Sequence, residues 1–308
     1  GAAGVAGNQP FDTNGTRFVM RGDIPRQVCK LSDEQGQTAE TFGFKWRKDD
    51  LFDQKEYLAQ VRSWMLERYG DVEHAHWWED YGPAPLILDA GCGAGRFADI
   101  AALNGATVIA CDISGAIDAA AETLRDHGER VACLQASIHD LPFKLGSFDG
   151  IYCFGVIQHT PDPTGTMAAL PPLLKPGGRL IYNFYERGLS PKLQVVKYAL
   201  RLITPHLPRR VTLALSRALV RIFFPMTRLL SRIRYIRFAN HFVPIAATHP
   251  VELTREQQYR WTLLDTFDWY GPRHEQRQDH RKVTALLEDA GLVDVTGAPG
   301  LAWARRRD

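Results

Sequence analysis

Short apolar runs separated by glycine-rich or polar turns recur through the middle of the chain: Leu86–Leu88, Ala106–Cys111, Val131–Leu134, Phe148–Phe154 and Arg179–Phe184. They are rich in β-branched and aromatic residues and show little polar alternation, the pattern of strands buried on both faces. Helical stretches lie between them, so residues 84–185 are expected to form a parallel sheet with crossover helices. Upstream, Phe52, Leu58, Val61, Met65, Leu66 and Tyr69 predict a helix ending at Gly70. Downstream, helices are expected over Thr254–Leu264 and within His280–Leu292, the latter stopped by Gly291, with a last strand over Leu301–Arg305. Residues 11–50 show too little periodicity to assign.

The first apolar run carries the chemistry. It ends in Asp89 and continues Ala90-Gly91-Cys92-Gly93-Ala94-Gly95 into a helical pattern, which reads as a nucleoside-binding strand, loop and helix. Glycines there let the backbone turn tightly and approach a ligand, and the helix start offers free N–H groups. The order is G-x-G-x-G rather than the G-x-G-x-x-G of a dinucleotide site, and Asp89 precedes it. An acid in that place disfavours a pyrophosphate and favours a ligand bearing an ammonium group. The second run ends in Asp112, placed to accept both hydroxyls of a ribose; a plain cap ahead of Ser114 is the alternative.

Three later segments complete a family pattern: Ser137-Ile138-His139-Asp140-Leu141-Pro142-Phe143, Phe148 to Phe154, and Leu174-Lys175-Pro176-Gly177-Gly178 before Arg179–Phe184. With the glycine loop, they make the chain resemble the class I S-adenosylmethionine (SAM)-dependent methyltransferases, in the branch of ubiquinone and menaquinone methyltransferases. The resemblance covers residues 84–185 strongly and 251–305 weakly. It implies a Rossmann-like seven-stranded α/β sheet with an N-terminal extension and a helical insertion after strand five. It implies SAM as methyl donor and S-adenosylhomocysteine as product. Asp89, Gly91, Cys92, Gly93 and Gly95 would hold the methionine end, Asp112 with Ile113 the ribose, Ser137 with Ile138 the adenine, and Phe154 with Gly155 the region near the sulfonium. Ser137 stands where relatives often have Asp. Phe42, Phe44 and Trp46 resemble an aromatic run that either caps the pocket or packs on the core.

Candidate acceptor-side residues are His159, in Gly155-Val156-Ile157-Gln158-His159, and Tyr270 and His274, in a D-W-Y-x-P-like segment. Each has a packing alternative. A methyl transfer needs chiefly alignment, with a base only where the nucleophile carries a proton.

Composition adds boundaries. The chain has 308 residues, a net charge of +2 and five cysteines, at 29, 92, 111, 133 and 153, without a C-x-x-C pair. Neither a disulfide framework nor a zinc site is expected, and His74 and His76, two residues apart, do not share a helix face. The basic residues are unevenly spread: 190–240 holds eleven Lys or Arg and no Asp or Glu. Pro205, Pro208 and Pro225 are expected to cut it into about three helices. Arg217, Arg221, Arg228 and Arg232 would form one stripe, with Leu215, Leu219, Ile222, Phe223, Leu229, Leu230 and Ile233 opposite. Three readings stay open for this insertion: a lid, a face for an anionic membrane or lipid-linked substrate, and a site for an anionic or nucleic-acid substrate. The last is weakened by the lack of interleaved stacking aromatics.

The domains expected are an N-terminal extension (1–50), the SAM-binding core (51–185), the basic insertion (186–250) and the C-terminal completion of the core (251–308). The expected function is methyl transfer to a small-molecule or lipid-like acceptor, in secondary metabolism or in quinone or cell-envelope biosynthesis. Its alternative is a non-catalytic SAM-binding scaffold working through the insertion. No signal-peptide pattern is read in Gly1–Pro10, so the cytoplasm, with peripheral membrane attachment, is the expected location.

Overall fold

The computed structural model describes residues 10–29, 31–46, 83–188, 192–232, 237–246 and 253–308. The helix expected before Gly70, and His74 and His76, lie outside the described residues. The chain divides into two compact units, one of 1–47, 61–186 and 276–308, the other of 48–60 and 187–275.

The first unit is built on one sheet. Its strands are β1 (Phe11–Thr13), β2 (Thr16–Arg21), β3 (Ile24–Gln27), β4 (Leu86–Ala90), β5 (Thr107–Asp112), β6 (Val131–Gln135), β7 (Phe148–Phe154), β8 (Leu174–Asn183), β9 (Leu292–Ala298) and β10 (Leu301–Arg306). Their order is β1-β2-β3-β6-β5-β4-β7-β8-β10-β9. Strands β4 to β8 pair in parallel, and β10 enters antiparallel between β8 and β9. Ile87, Leu88, Val108, Ala110, Ile151 and Cys153 are fully buried, which explains the unbroken apolar runs. Because β5 lies on one side of β4 and β7 on the other, the winding reverses at β4, and a crevice opens at its carboxyl end.

The seven expected strands are β4 to β10. Three more, β1 to β3, extend the sheet, so the N-terminal extension is more regular than its sequence periodicity indicated. Asn14 and Gly15, at φ 48° and 77°, turn β1 into β2, and Gly22, at φ 61°, turns β2 into β3. Strand β3 joins β6 through Arg26 opposite Gln135. The Arg26 guanidinium donates to Gln135 Oε1 at 2.7 Å and also pairs with Asp118. Helix α1 (Asp33–Trp46) then begins at a reciprocal cap: Gln35 N donates to Ser32 Oγ at 3.2 Å, and Ser32 N to Gln35 Oε1 at 3.3 Å. Helices α2 (Arg96–Leu103), α3 (Ala116–Thr123) and α4 (Pro163–Ala168) connect the parallel strands.

The second unit is helical among its described residues: α5 (Val195–Arg201), α6 (Arg209–Arg232) and α7 (Arg255–Tyr270). Pro205 and Pro208 separate α5 from α6 as expected, but α6 continues through Pro225. Pro225 and Arg221, whose carbonyl loses its partner at that turn, are both exposed, so water satisfies what the proline removes. Helix α7 starts at a Thr254–Gln257 capping box and runs to Tyr270, taking in the segment from Asp265 that the sequence left outside a helix. Its stop is Gly271-Pro272. Helix α8 (His280–Asp289), back in the first unit, is capped by Asp279.

Candidate active site

The glycine loop is fixed from beneath by β5. Gly91 N and Cys92 N both donate to the Cys111 carbonyl, at 2.7 and 2.8 Å. Gly91, Gly93 and Gly95 take φ of 87°, 54° and 81°, a region that side chains disfavour. Close packing adds a second constraint: a Cβ on Gly91 would lie 2.2 Å from Val156 Cγ2, and one on Gly95 2.8 Å from Leu124 Cδ1.

Both acids lie at this loop. Asp112 Oδ2 accepts from Gly93 N at 2.9 Å and Oδ1 from Ser114 N at 2.8 Å. The helix that follows is entered at Gly115 without a side-chain cap, so Asp112 is not its N-cap, and the two N–H groups use only part of a carboxylate's acceptor capacity, about four lone-pair sites. Burial pushes the Asp112 carboxyl above its ordinary value, and its hydrogen bonds pull against that shift. Asp89 is 1% exposed and accepts from Ala98 N of α2 at 3.0 Å. Its burial raises it to about 7, with the Asp112 charge adding to the rise and the Ala98 bond opposing it.

The other expected donor-site residues line the same carboxyl ends. Ser137 is buried; its Oγ accepts from His139 N at 3.3 Å, and its own N–H donates to Gln27 Oε1 at 2.8 Å. Ile138 packs on the core, and the Ile113 carbonyl accepts from Gln135 Nε2 at 3.1 Å. Cys92 is buried beside Gly93. Phe154 stacks on Phe97 of α2 with centroids 4.0 Å apart, a partner the strand-by-strand reading of the sequence did not single out.

Helix α1 brings its aromatic run onto this unit. Trp46 lies against Gly93, its Nε1 3.2 Å from where a Cβ would stand, and the Arg96 guanidinium lies 4.8 Å from its ring centroid. Phe42 meets His159 at 5.1 Å between centroids, and Tyr185 meets the other side of that imidazole at 5.6 Å. His159 is 3% exposed. Thus α1 touches both the glycine loop and the segment after β7. The two remaining acceptor-side candidates belong to the second unit. Tyr270 is fully buried, its hydroxyl donating to the Pro244 carbonyl at 2.8 Å, and burial raises its phenol. His274 is half-buried after the end of α7.

Residues 88–182 match the family model described as a methyltransferase domain. The chain is 30% identical to a ubiquinone biosynthesis O-methyltransferase of Methylococcus capsulatus over 45% of this chain and 69% of that protein. It is 34% identical to one of Thiobacillus denitrificans, over 47% of this chain and 74% of that protein. The chain belongs to the class I SAM-dependent methyltransferases. Two further relatives of the same name are matched over only 52% and 63% of their length. Among solved structures, a magnesium protoporphyrin IX methyltransferase from Synechocystis with bound SAM aligns over 91% of this chain and 99% of that one, at 15% identity and a TM-score of 0.46.

The methyltransferase uses SAM, and its residues fit that donor. Positive-φ glycines give backbone access, Asp112 retains acceptor capacity for a vicinal diol, and buried Asp89 gives the loop a negative site suited to an ammonium. The buried cysteines are neutral packing groups, since burial raises the thiols of Cys92, Cys111 and Cys153 far above their ordinary value and that of Cys133 to about 11. Cys29 is exposed.

Proposed function

We propose that this methyltransferase methylates a hydroxyl on a small planar, phenolic or quinol-like acceptor. The observation carrying the reading is the His159 imidazole after β7, met by the tilted ring of Phe42 and edge-to-face by Tyr185. The relatives named as O-methyltransferases of ubiquinone biosynthesis lend support.

SAM supplies a methyl group bonded to its sulfonium sulfur. The rest of the work falls to the chain. In this reading Asp112 holds the ribose hydroxyls and Asp89 the ammonium side. Gly91, Gly93 and Gly95 admit the donor close to the backbone, with Cys92 beneath. Ile113, Ser137 and Ile138 flank the nucleoside, and Phe154, braced by Phe97, walls the transfer region. Phe42 and Tyr185 orient the acceptor ring, and His159 takes the hydroxyl proton as the nucleophile forms. Tyr270 positions the second unit's helix through its bond to Pro244.

Two variants test this reading. Asp112→Ala should abolish the saturable thermal stabilisation that SAM and S-adenosylhomocysteine give the wild type. With a phenolic acceptor, His159→Gln should lower kcat by about 100-fold, with little change in SAM affinity and partial recovery at a pH where the phenol ionises. An equal loss at every pH would remove the base role and leave His159 as packing.

A further inference from the structure

We propose that α5 and α6 form a face that seats this protein on an anionic lipid surface. The inference does not depend on the acceptor.

Helix α5 is inside out. Lys197 is its buried residue, donating to Glu275 Oε1 at 2.7 Å with the Lys197 side chain 0% and the Glu275 side chain 2% exposed. The valines on its other side are open to water: Val195 is 65% and Val196 43% exposed. The stripe continues through Ala199 to Leu202 and Ile203, 78% and 63% exposed. Positions 195, 196 and 199 share one face of α5, and the apolar Leu202 and Ile203 follow directly at its end.

Helix α6 is apolar on both sides: Leu213, Val220 and Phe224 are buried, yet apolar residues also line its open face. Its buried face carries Thr212, Ser216 and Thr227, whose hydroxyls donate to carbonyls of Thr204, Thr212 and Phe224. Its open face carries Val211, Ile222, Met226 and Leu229, with Ile222 and Leu229 67% and 61% exposed. Ile222 and Leu229, which the sequence placed on the side opposite the arginines, lie outward, and Arg228, expected in the arginine stripe, bonds Gln258 at 3.0 Å. Arg210, Arg217 and Arg221 remain exposed beside the apolar positions. The Thr212 bond to the Thr204 carbonyl, 3.2 Å, ties the start of α6 to the segment that follows α5.

A helix that packs only against protein and water puts its apolar residues inward. A helix that turns a lysine inward and valines outward, followed by one with a second apolar face left open, presents a surface for a nonpolar partner. Charge selects which partner. From Arg187 to Val251 the chain holds no Asp or Glu, and Lys192, Arg210 and Arg221 border the exposed apolar positions. Apolar side chains interleaved with exposed cations suit the headgroup boundary of an anionic leaflet. No described helix is long and apolar enough to cross a membrane, so the face would lie in the interface plane.

The test is co-sedimentation of the full chain with vesicles of phosphatidylcholine alone and of phosphatidylcholine with phosphatidylglycerol. Affinity should be at least tenfold higher for the anionic vesicles and fall as salt rises, each basic residue near the surface contributing roughly fivefold. Leu202→Ser/Ile203→Ser and Arg210→Glu/Arg221→Glu should each cost about tenfold or more, while thermal stability and SAM-induced stabilisation stay at wild-type values. Both pairs are exposed, so folding should persist. Equal binding to both vesicle types, or none, overturns the proposal. So does a solution dimer, seen by light scattering, that dissociates in the Leu202→Ser/Ile203→Ser variant, because the face would then belong to a second copy of the chain.

Discussion

At the scale of single residues, Asp89 holds the sharpest tension between stability and binding. A buried carboxylate ordinarily survives by accepting several donors or a cation; among the described residues Asp89 accepts one hydrogen bond, from Ala98 N. Its folded-state value near 7 lies above the ordinary 3.8, so between about pH 4 and 7 the folded protein binds more protons than the unfolded one. The associated stability is fully present below pH 4 and is lost as the pH rises through 7. Asp89→Asn keeps an acceptor for Ala98 N and removes the charge. It should therefore stabilise the ligand-free protein at pH 8, by about 1–3 kcal/mol, with the gain vanishing near pH 4, while weakening SAM binding. Thermal melts of both proteins across that range, with and without SAM, measure the two effects separately. Both acids were legible in the sequence because each ends an apolar run. Their coupling was not, because hydrogen bonds from Gly93, Ala98 and Ser114 exist only after the loop has folded back on β5.

Elements were legible where periodicity and punctuation agreed. The parallel strands carried unbroken apolar runs, and the glycine loop lay between strand and helix, so their order followed from the sequence. The N-terminal strands were less visible because they are short, with Phe18 the only fully buried residue of β2. The signals were the Asn14-Gly15 turn and the Ser32-x-x-Gln35 cap. Helix α6 misled for another reason: residue types predict which face is apolar, but its threonines and serine turn inward because their hydroxyls reach carbonyls one turn back or on the preceding segment. The loop also makes an element-scale prediction. Gly91→Ala combines a left-handed φ with a 2.2 Å approach to Val156, so it should destabilise by about 2–4 kcal/mol. Adding Val156→Ala should recover part of that loss by relieving the clash, leaving the backbone penalty, as a double-mutant denaturation series would reveal.

Across the whole molecule, the second unit's larger stretch, 187–275, leaves the first unit at Glu186 and returns at Gln276. Those two positions are tied together within the first unit. Glu186 forms a parallel bridge with Gln278, whose N–H donates to the Tyr185 carbonyl at 2.8 Å. Gln276 is anchored too, its N–H on the Gln158 carbonyl and its side chain on the carbonyls of Thr160 and Pro161. The points where the chain leaves and returns are thus fixed by bonds within the first unit, and the length of the intervening stretch costs little entropy once its ends are pinned. Replacing 188–275 with a short glycine-serine linker should leave a folded protein that SAM still stabilises but that no longer sediments with anionic vesicles. The stretch is in effect a cassette: what the enzyme touches outside its catalytic core could be exchanged in one piece, while donor chemistry remains with the strands on either side of the seam.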